Sequence, residues 1–183
     1  MAHTNKRLKE AAKLASDLES KALLSGPGGD AVSKCKNGWT PLMWAARDGH
    51  EACVRMLLPN GNALARNSDG ETALMWAAWH GHKGCVSLLI PASDPWAKSN
   101  SGRGALMWAA YNGHEACVQL LLPVSDAWAR DKGGLTASRC AHNGGHETLS
   151  QFIDSYALSQ SEKADIDDTV PSGAPHGRSA PRV

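Results

Sequence analysis

Aromatic residues other than tryptophan are almost missing: the 183-residue sequence has one Phe and two Tyr against seven Trp. So skewed a usage means that the indoles occupy a recurring niche. An excess of charge of one sign is also missing, since 19 Lys and Arg meet 18 Asp and Glu for a formal +1. No global field therefore attracts nucleic acid or an anionic membrane, and neither is expected as a partner. No run approaches the roughly 18 apolar residues that span a bilayer. The opening MAHTNKRLKEAAKLASDLESKALL is charged throughout and has no apolar h-region, so no secretory leader is expected. Five cysteines (35, 53, 85, 117 and 140) include no CxxC pair, which fits reduced thiols in a cytoplasm better than a disulfide framework. GxxxxGK[ST], GxGxxG, GxSxG and HExxH do not occur.

What is present is a globular balance, 42% hydrophobic and 20% charged, and a strong internal repeat. GWTPLMWAARDGHEACVRMLLP, GETALMWAAWHGHKGCVSLLIP and GRGALMWAAYNGHEACVQLLLP begin at Gly38, Gly70 and Gly102, and a degenerate GLTASRCAHNGGHETLSQFI begins at Gly134. The Gly-His pairs at 49–50, 81–82, 113–114 and 145–146 keep the same register. Such a period signals a solenoid in which each unit buries its apolar face only against its neighbours.

Each unit reads as helix, tight turn, helix and loop. In the first, Thr40 is a natural N-cap and Pro41 sits where its missing N–H costs nothing. Leu42 to Ala46 make a short apolar helix, and Gly49 supplies the left-handed residue that ends it. His50 opens a second helix, Glu51 in its first turn suits the dipole, and Cys53, Val54, Leu57 and Leu58 form its buried stripe before Pro59 stops it.

TPLMWAA…GHEACVRMLL resembles the ankyrin repeat, whose pattern is T-P-L-H-x-A-A…G-H…LL over roughly 33 residues, and the likeness covers about residues 35–157. Met43, Met75 and Met107 stand where the family has His, and the period here is shorter by one residue. The wording LMWAA and HEACVQLLLPVSDA also resembles short bacterial ankyrin repeat proteins. The fold expected is an all-α solenoid of four clear repeats (35–66, 67–98, 99–130 and 131–160). Residues 1–34, where Leu8, Ala11-Ala12 and Leu23-Leu24 echo the repeat, are expected to form a degenerate capping repeat and loop. At the other end, Ser138 and Arg139 replace the apolar Leu and Met, as suits a last repeat with a wet outer face, and its second helix is expected to run to about Gln160. Residues 161–183 have almost no apolar content and are expected to be a disordered tail.

Residues that could carry chemistry follow the repeat. Cys53, Cys85 and Cys117 share one repeat position, and neighbouring repeats lie about 8–10 Å apart. That is too far for a disulfide or a shared zinc ion. They are expected to be small buried hydrophobes. His50, His82, His114 and His146 recur at the turn, where the resemblance gives them a role in tying loops together. Cys140, His142 and His146 contain metal-ligand types, yet Cys140 aligns with Trp44, His142 with Ala46 and His146 with the His ladder, and no fourth ligand lies near. No catalytic residue, metal or cofactor is expected, and the chain is not expected to be an enzyme.

The tryptophans divide into three groups. Trp44, Trp76 and Trp108 recur in the first helix and are expected to fill the core between repeats. Trp96 and Trp128, with Leu64 in the first copy, recur after the second helix and are expected to cover the base of the stack. Trp39 and Trp79 do not recur. Positions that vary between copies are free of stacking duty: Trp39, Glu71 and Arg103 before the cap, Arg47-Asp48, Trp79-His80 and Tyr111-Asn112 before the turn, and Asp69 in a loop. The resemblance places these on the concave face and loop tips, where ankyrin partners dock, and Trp, Tyr and Arg are common interface hot spots. The expected function is non-catalytic capture of a folded protein by a cytoplasmic monomer, as an adaptor or an inhibitor or immunity-like protein. The alternative is a secreted bacterial effector that engages a host protein, with Arg178 and Arg182 of the tail serving delivery.

Overall fold

Threonine hydroxyls start the first helix of three repeats. Thr40, Thr72 and Thr136 each accept from the backbone N–H three residues on, at 3.3 to 3.4 Å, the geometry of an N-cap. In the third repeat Gly104 takes that place and offers no side chain. The resulting computed structural model describes residues 37–167, and side chains as far as residue 160. The expectations for residues 1–34, for Cys35 and for the tail from 168 onward lie outside the described residues.

Eight helices follow one another in pairs, and no strand occurs among the described residues. The pairs are α1 (Pro41–Asp48) with α2 (Glu51–Leu57), α3 (Ala73–Trp79) with α4 (Lys83–Leu89), α5 (Ala105–Tyr111) with α6 (Glu115–Leu121), and α7 (Ala137–Asn143) with α8 (Glu147–Asp167). First helices pack on first helices, α1 on α3 on α5 on α7, and second helices on second helices, α2 on α4 on α6. The Leu, Met and two Ala of each LMWAA run, with the Cys, Val and Leu of the next helix, make one continuous core. Pro91 and Pro123 do not stop the second helix outright. They sit in 3₁₀ turns, Ile90–Ala92 and Leu122–Val124, that tighten its end.

The loops are zipped together by backbone. Ser68 N–H donates to Asn37 O at 3.0 Å, Asn100 to Asp69 O at 2.8 Å and Lys132 to Ser101 O at 3.0 Å, one bond per repeat junction. Each loop is closed on itself by a tight turn, as in Gly70 N–H to Asn67 O at 3.0 Å.

The last repeat departs from expectation twice. Ser138 does not face water: it is buried, and its hydroxyl bonds that of buried Ser150 at 3.0 Å. Ser150 stands where the other repeats have Val54, Val86 and Val118, so the apolar Leu–Val contact has become a paired hydroxyl contact with nothing left unsatisfied. In addition, α8 continues past Gln160 to Asp167. Ser, Glu, Lys, Ala and Asp all tolerate a helix, and no Gly or Pro intervenes before Pro171.

Gly81 has φ +75, and a Cβ there would lie 2.5 Å from His114 Nδ1, whereas Gly145 has φ +84 with nothing near. Gly81→Ala should therefore lose about 1 kcal/mol for its φ and more for the displaced imidazole, and Gly145→Ala the first part alone. Urea midpoints of the two variants check this; equal losses would mean that the imidazole contact contributes nothing. Ser138→Ala and Ser150→Ala should each cost about 1–3 kcal/mol by stranding the other hydroxyl. The double variant should cost less than their sum, which a double-mutant cycle reads directly.

Candidate functional site

Within a helix, residues three apart are neighbours on the surface. That rule sets Trp44 beside Arg47, Trp76 beside Trp79, and Trp108 beside Tyr111. The residue before each cap, Trp39, Glu71 and Arg103, adds a side chain from the loop. Stacking of the repeats then brings these sets into one row.

The row is a chain of five indoles. Trp44 lies 4.4 Å from Trp39, Trp39 4.5 Å from Trp76, Trp76 6.1 Å from Trp79, and Trp79 4.2 Å from Trp108, all with tilted planes. A guanidinium closes each end. Arg47 sits 4.3 Å over Trp44 and Arg103 sits 4.7 Å over Trp108 and 5.7 Å from Tyr111. Each such contact contributes about 0.5–1 kcal/mol at an exposed site. Carboxylates hold both cations in place: Arg47 Nε donates to Asp48 at 2.7 Å and Arg103 Nε to Asp131 at 3.0 Å.

Asp131 is the better-built of the two anchors. Burial alone pushes its pKa up. Bonds from the Leu135 N–H, the Arg103 guanidinium and the Gly133 N–H outweigh that and hold it below the ordinary carboxylate value.

Of the residues read as a recognition strip, Trp39, Arg47, Asp48, Trp79, Arg103 and Tyr111 belong to this row, and His80 lies along it, 5.9 Å from Trp76 and stacked on His82 at 6.0 Å. The other three brace the scaffold. Glu71 accepts from Asn67 Nδ2 at 2.9 Å, Asn112 Nδ2 donates to Trp108 O at 3.0 Å, and Asp69 O belongs to the backbone zipper. Trp44 and Trp76 are corrections. They are half-buried members of the row and not core filling, and only Trp108 is buried. The signal that could have found them is the i, i+3 pairing with the variable residue before each turn.

Trp96 and Trp128 are also corrections. They are 63% and 51% exposed, and Leu64 is 57% exposed. Asp94 and Asp126 accept the Trp96 and Trp128 backbone N–H at 2.9 Å, as Asn62 does for Leu64. Each of these segments is a tight turn, closed by Ala65 N–H to Asn62 O at 3.1 Å, Ala97 to Asp94 O at 3.2 Å and Ala129 to Asp126 O at 3.3 Å. In the first, Ala63 and Ala65 are buried while Leu64 between them is exposed.

The His ladder ties turns across repeats. His82 Nε2 donates to Arg47 O at 3.0 Å and His114 Nε2 to Trp79 O at 2.9 Å, each ring resting over the turn glycine of the repeat before. Cys53, Cys85, Cys117 and Cys140 are buried and in no disulfide. Burial is the main cause that raises the thiol pKa of Cys85 to about 12, and it raises those of Cys117 and Cys140 too, which makes them poor nucleophiles. The three possible ligands of the last repeat are parted: Cys140 is in the core, His142 bonds Glu147 at 2.6 Å outside it, and His146 rests over Gly113. Among the described residues no three His, Cys, Asp or Glu are grouped to hold a metal ion.

The family model for ankyrin repeats (three copies) matches residues 8–99, and that for a single ankyrin repeat matches residues 101–132. The chain belongs to the ankyrin repeat family. Ankyrin repeats are protein–protein interaction modules, and the first match begins within the segment that echoes the repeat ahead of Trp39. No curated protein matches the chain.

Burial, only partly offset by the bond to Arg47, holds the His82 imidazole below its usual value of 6.5. The unfolded chain then binds more protons than the folded one between that lowered value and 6.5. This contribution is complete above pH 6.5 and is lost as the pH falls through the window. The stability advantage of the native protein over His82→Gln should shrink from pH 7.5 to pH 5 in urea titrations. A constant gap would count against the ring being held neutral.

Proposed function

We propose that this ankyrin protein captures a folded protein partner through the Trp–Arg row and the adjoining loop tips, as a non-catalytic adaptor or inhibitor. The observation that carries this is the row itself: five closely packed indoles between two carboxylate-anchored arginines, of which Trp39, Trp79, Arg47 and Arg103 stand at positions that differ from repeat to repeat. Rigid aromatics lose little entropy when a partner covers them, and arginines already held in plane lose little more. Tyr111, 38% exposed beside Arg103, is the most accessible aromatic of the row.

A cost in the free protein supports the same reading. Trp76 Nε1 is buried with no acceptor, a loss of about 1–3 kcal/mol that a scaffold selected for stability alone would avoid. The thiols and imidazoles are engaged in packing and turn closure, which supports a binding role over catalysis. A cytoplasmic monomer is the form in which this surface is free to work.

Affinity capture from lysate of the producing cells, compared with a Trp79→Ala/Tyr111→Ala variant, tests the proposal. Because Trp79 packs on Trp76 and Trp108, the variant should melt somewhat earlier yet remain folded. A partner held by the native protein should be bound at least about tenfold more weakly. A partner retained equally by the folded variant would remove the row from the site.

A further inference from the structure

The exposed row Leu64, Trp96 and Trp128 lies apart from the site above and repeats at every junction, yet the free stack leaves it largely uncovered. Isolated exposed hydrophobics need no explanation, but a regular series of them does. Between Trp96 and Trp128 lies a groove of about 250 Å³, whose lining includes Leu122, Pro123, Tyr156, Ala157 and Gln160. Helix α8 therefore forms one wall. The same helix is described as far as Asp167, and residues 168–183 follow it in the sequence.

We propose that residues 168–183 of this chain dock in cis on the Trp96–Trp128 groove. Three observations favour this occupant over any other. The first is proximity. Asp167 lies seven residues past Gln160, about 10 Å along the helix, and sixteen extended residues reach about 50 Å, ample to turn back along the row. Tethered so near, the segment faces the groove at an effective concentration in the millimolar range, which a separate chain seldom matches.

The second is composition. The segment carries Pro171, Pro175 and Pro181, with Val170, Val183 and two alanines as its other apolar residues and no Leu, Ile, Met or aromatic. It cannot build a core of its own, but prolines in extended chain are the residues that dock against grooves lined by aromatics. The third is charge. Asp94 and Asp126, two residues before each indole, make one charged edge of the row in sequence, and Lys98 and Arg130, two residues after it and donating to backbone carbonyls, make the other. Arg178 and Arg182 complement the first edge and Asp168 the second.

The test is ¹⁵N relaxation on the full-length chain, with Trp96→Ser/Trp128→Ser as the comparison. Amides around Pro175 to Arg182 should show order parameters near about 0.85 in the native protein and below about 0.6 in the variant. Values below about 0.6 in both would overturn the proposal. A second variant leaves the stack untouched: Pro175→Ser/Pro181→Ser should shift the indole N–H signals of Trp96 and Trp128 and not that of Trp44. Unmoved signals would overturn the proposal as well. Tenfold dilution should change nothing; tail order that falls on dilution would assign the groove to the segment of a second copy and defeat docking in cis.

Discussion

Everything in this stack depends on the register in which one repeat sits on the next. Helices of seven or eight residues are marginal in water on their own, so each is held by its neighbours. Two bonds set the register at each of the first two described junctions. At the turn, an imidazole covers the preceding glycine and donates to a carbonyl, as His82 does to Arg47 and His114 to Trp79. At the loop, a backbone N–H reaches the loop before it, as Asn100 does to Asp69. Glycine at 49, 81 and 113 is then required twice over, for the left-handed backbone and for room beneath the ring. Apolar burial supplies the driving force but has no direction; these bonds give it one.

Fixed register is what turns scattered aromatics into a continuous surface. Trp39 comes from a loop, Trp76 and Trp79 from one helix and Trp108 from the next, yet their rings lie 4.2 to 6.1 Å apart. A slip of one residue at any junction would move every later indole off the row. The His–carbonyl bonds hold the two residues that matter most there, because Arg47 and Trp79 are themselves the acceptors. Scaffold and surface thus share the same residues: the carbonyl belongs to the turn and the side chain to the face.

The helix pairs, their caps and their buried stripe were legible in the sequence, because each has a local cause repeated in register. The Thr hydroxyl at N-cap, the glycine at the turn and the Leu–Met–x–Ala–Ala run each specify their own surroundings. The row was legible only in part. Trp39 and Trp79 stood out by failing to recur, but Trp44 and Trp76 looked like core because they did recur. Whether a recurring indole is buried depends on the depth of the space between first helices, which Leu42, Met43 and the alanines already fill. That is a packing question that periodicity cannot answer. Ser138 misled for the opposite reason: a polar residue at a core position signals exposure unless a partner is waiting, and Ser150 lies twelve residues away.

Recurrence in an array has two distinct physical causes, and the tryptophans of this chain separate them. The turn glycines and histidines recur because every junction needs them. Trp96 and Trp128 recur without being needed at a junction, since the carboxylates of Asp94 and Asp126 fix the backbone and small residues fill the space beneath. Leu64 shows the same position holding a different apolar residue with the same exposure. What is kept there is an outward apolar group beside an outward cation, Leu64 with Arg66, Trp96 with Lys98 and Trp128 with Arg130. The array thus carries one face whose residues vary from repeat to repeat and another on which an apolar group and a cation repeat.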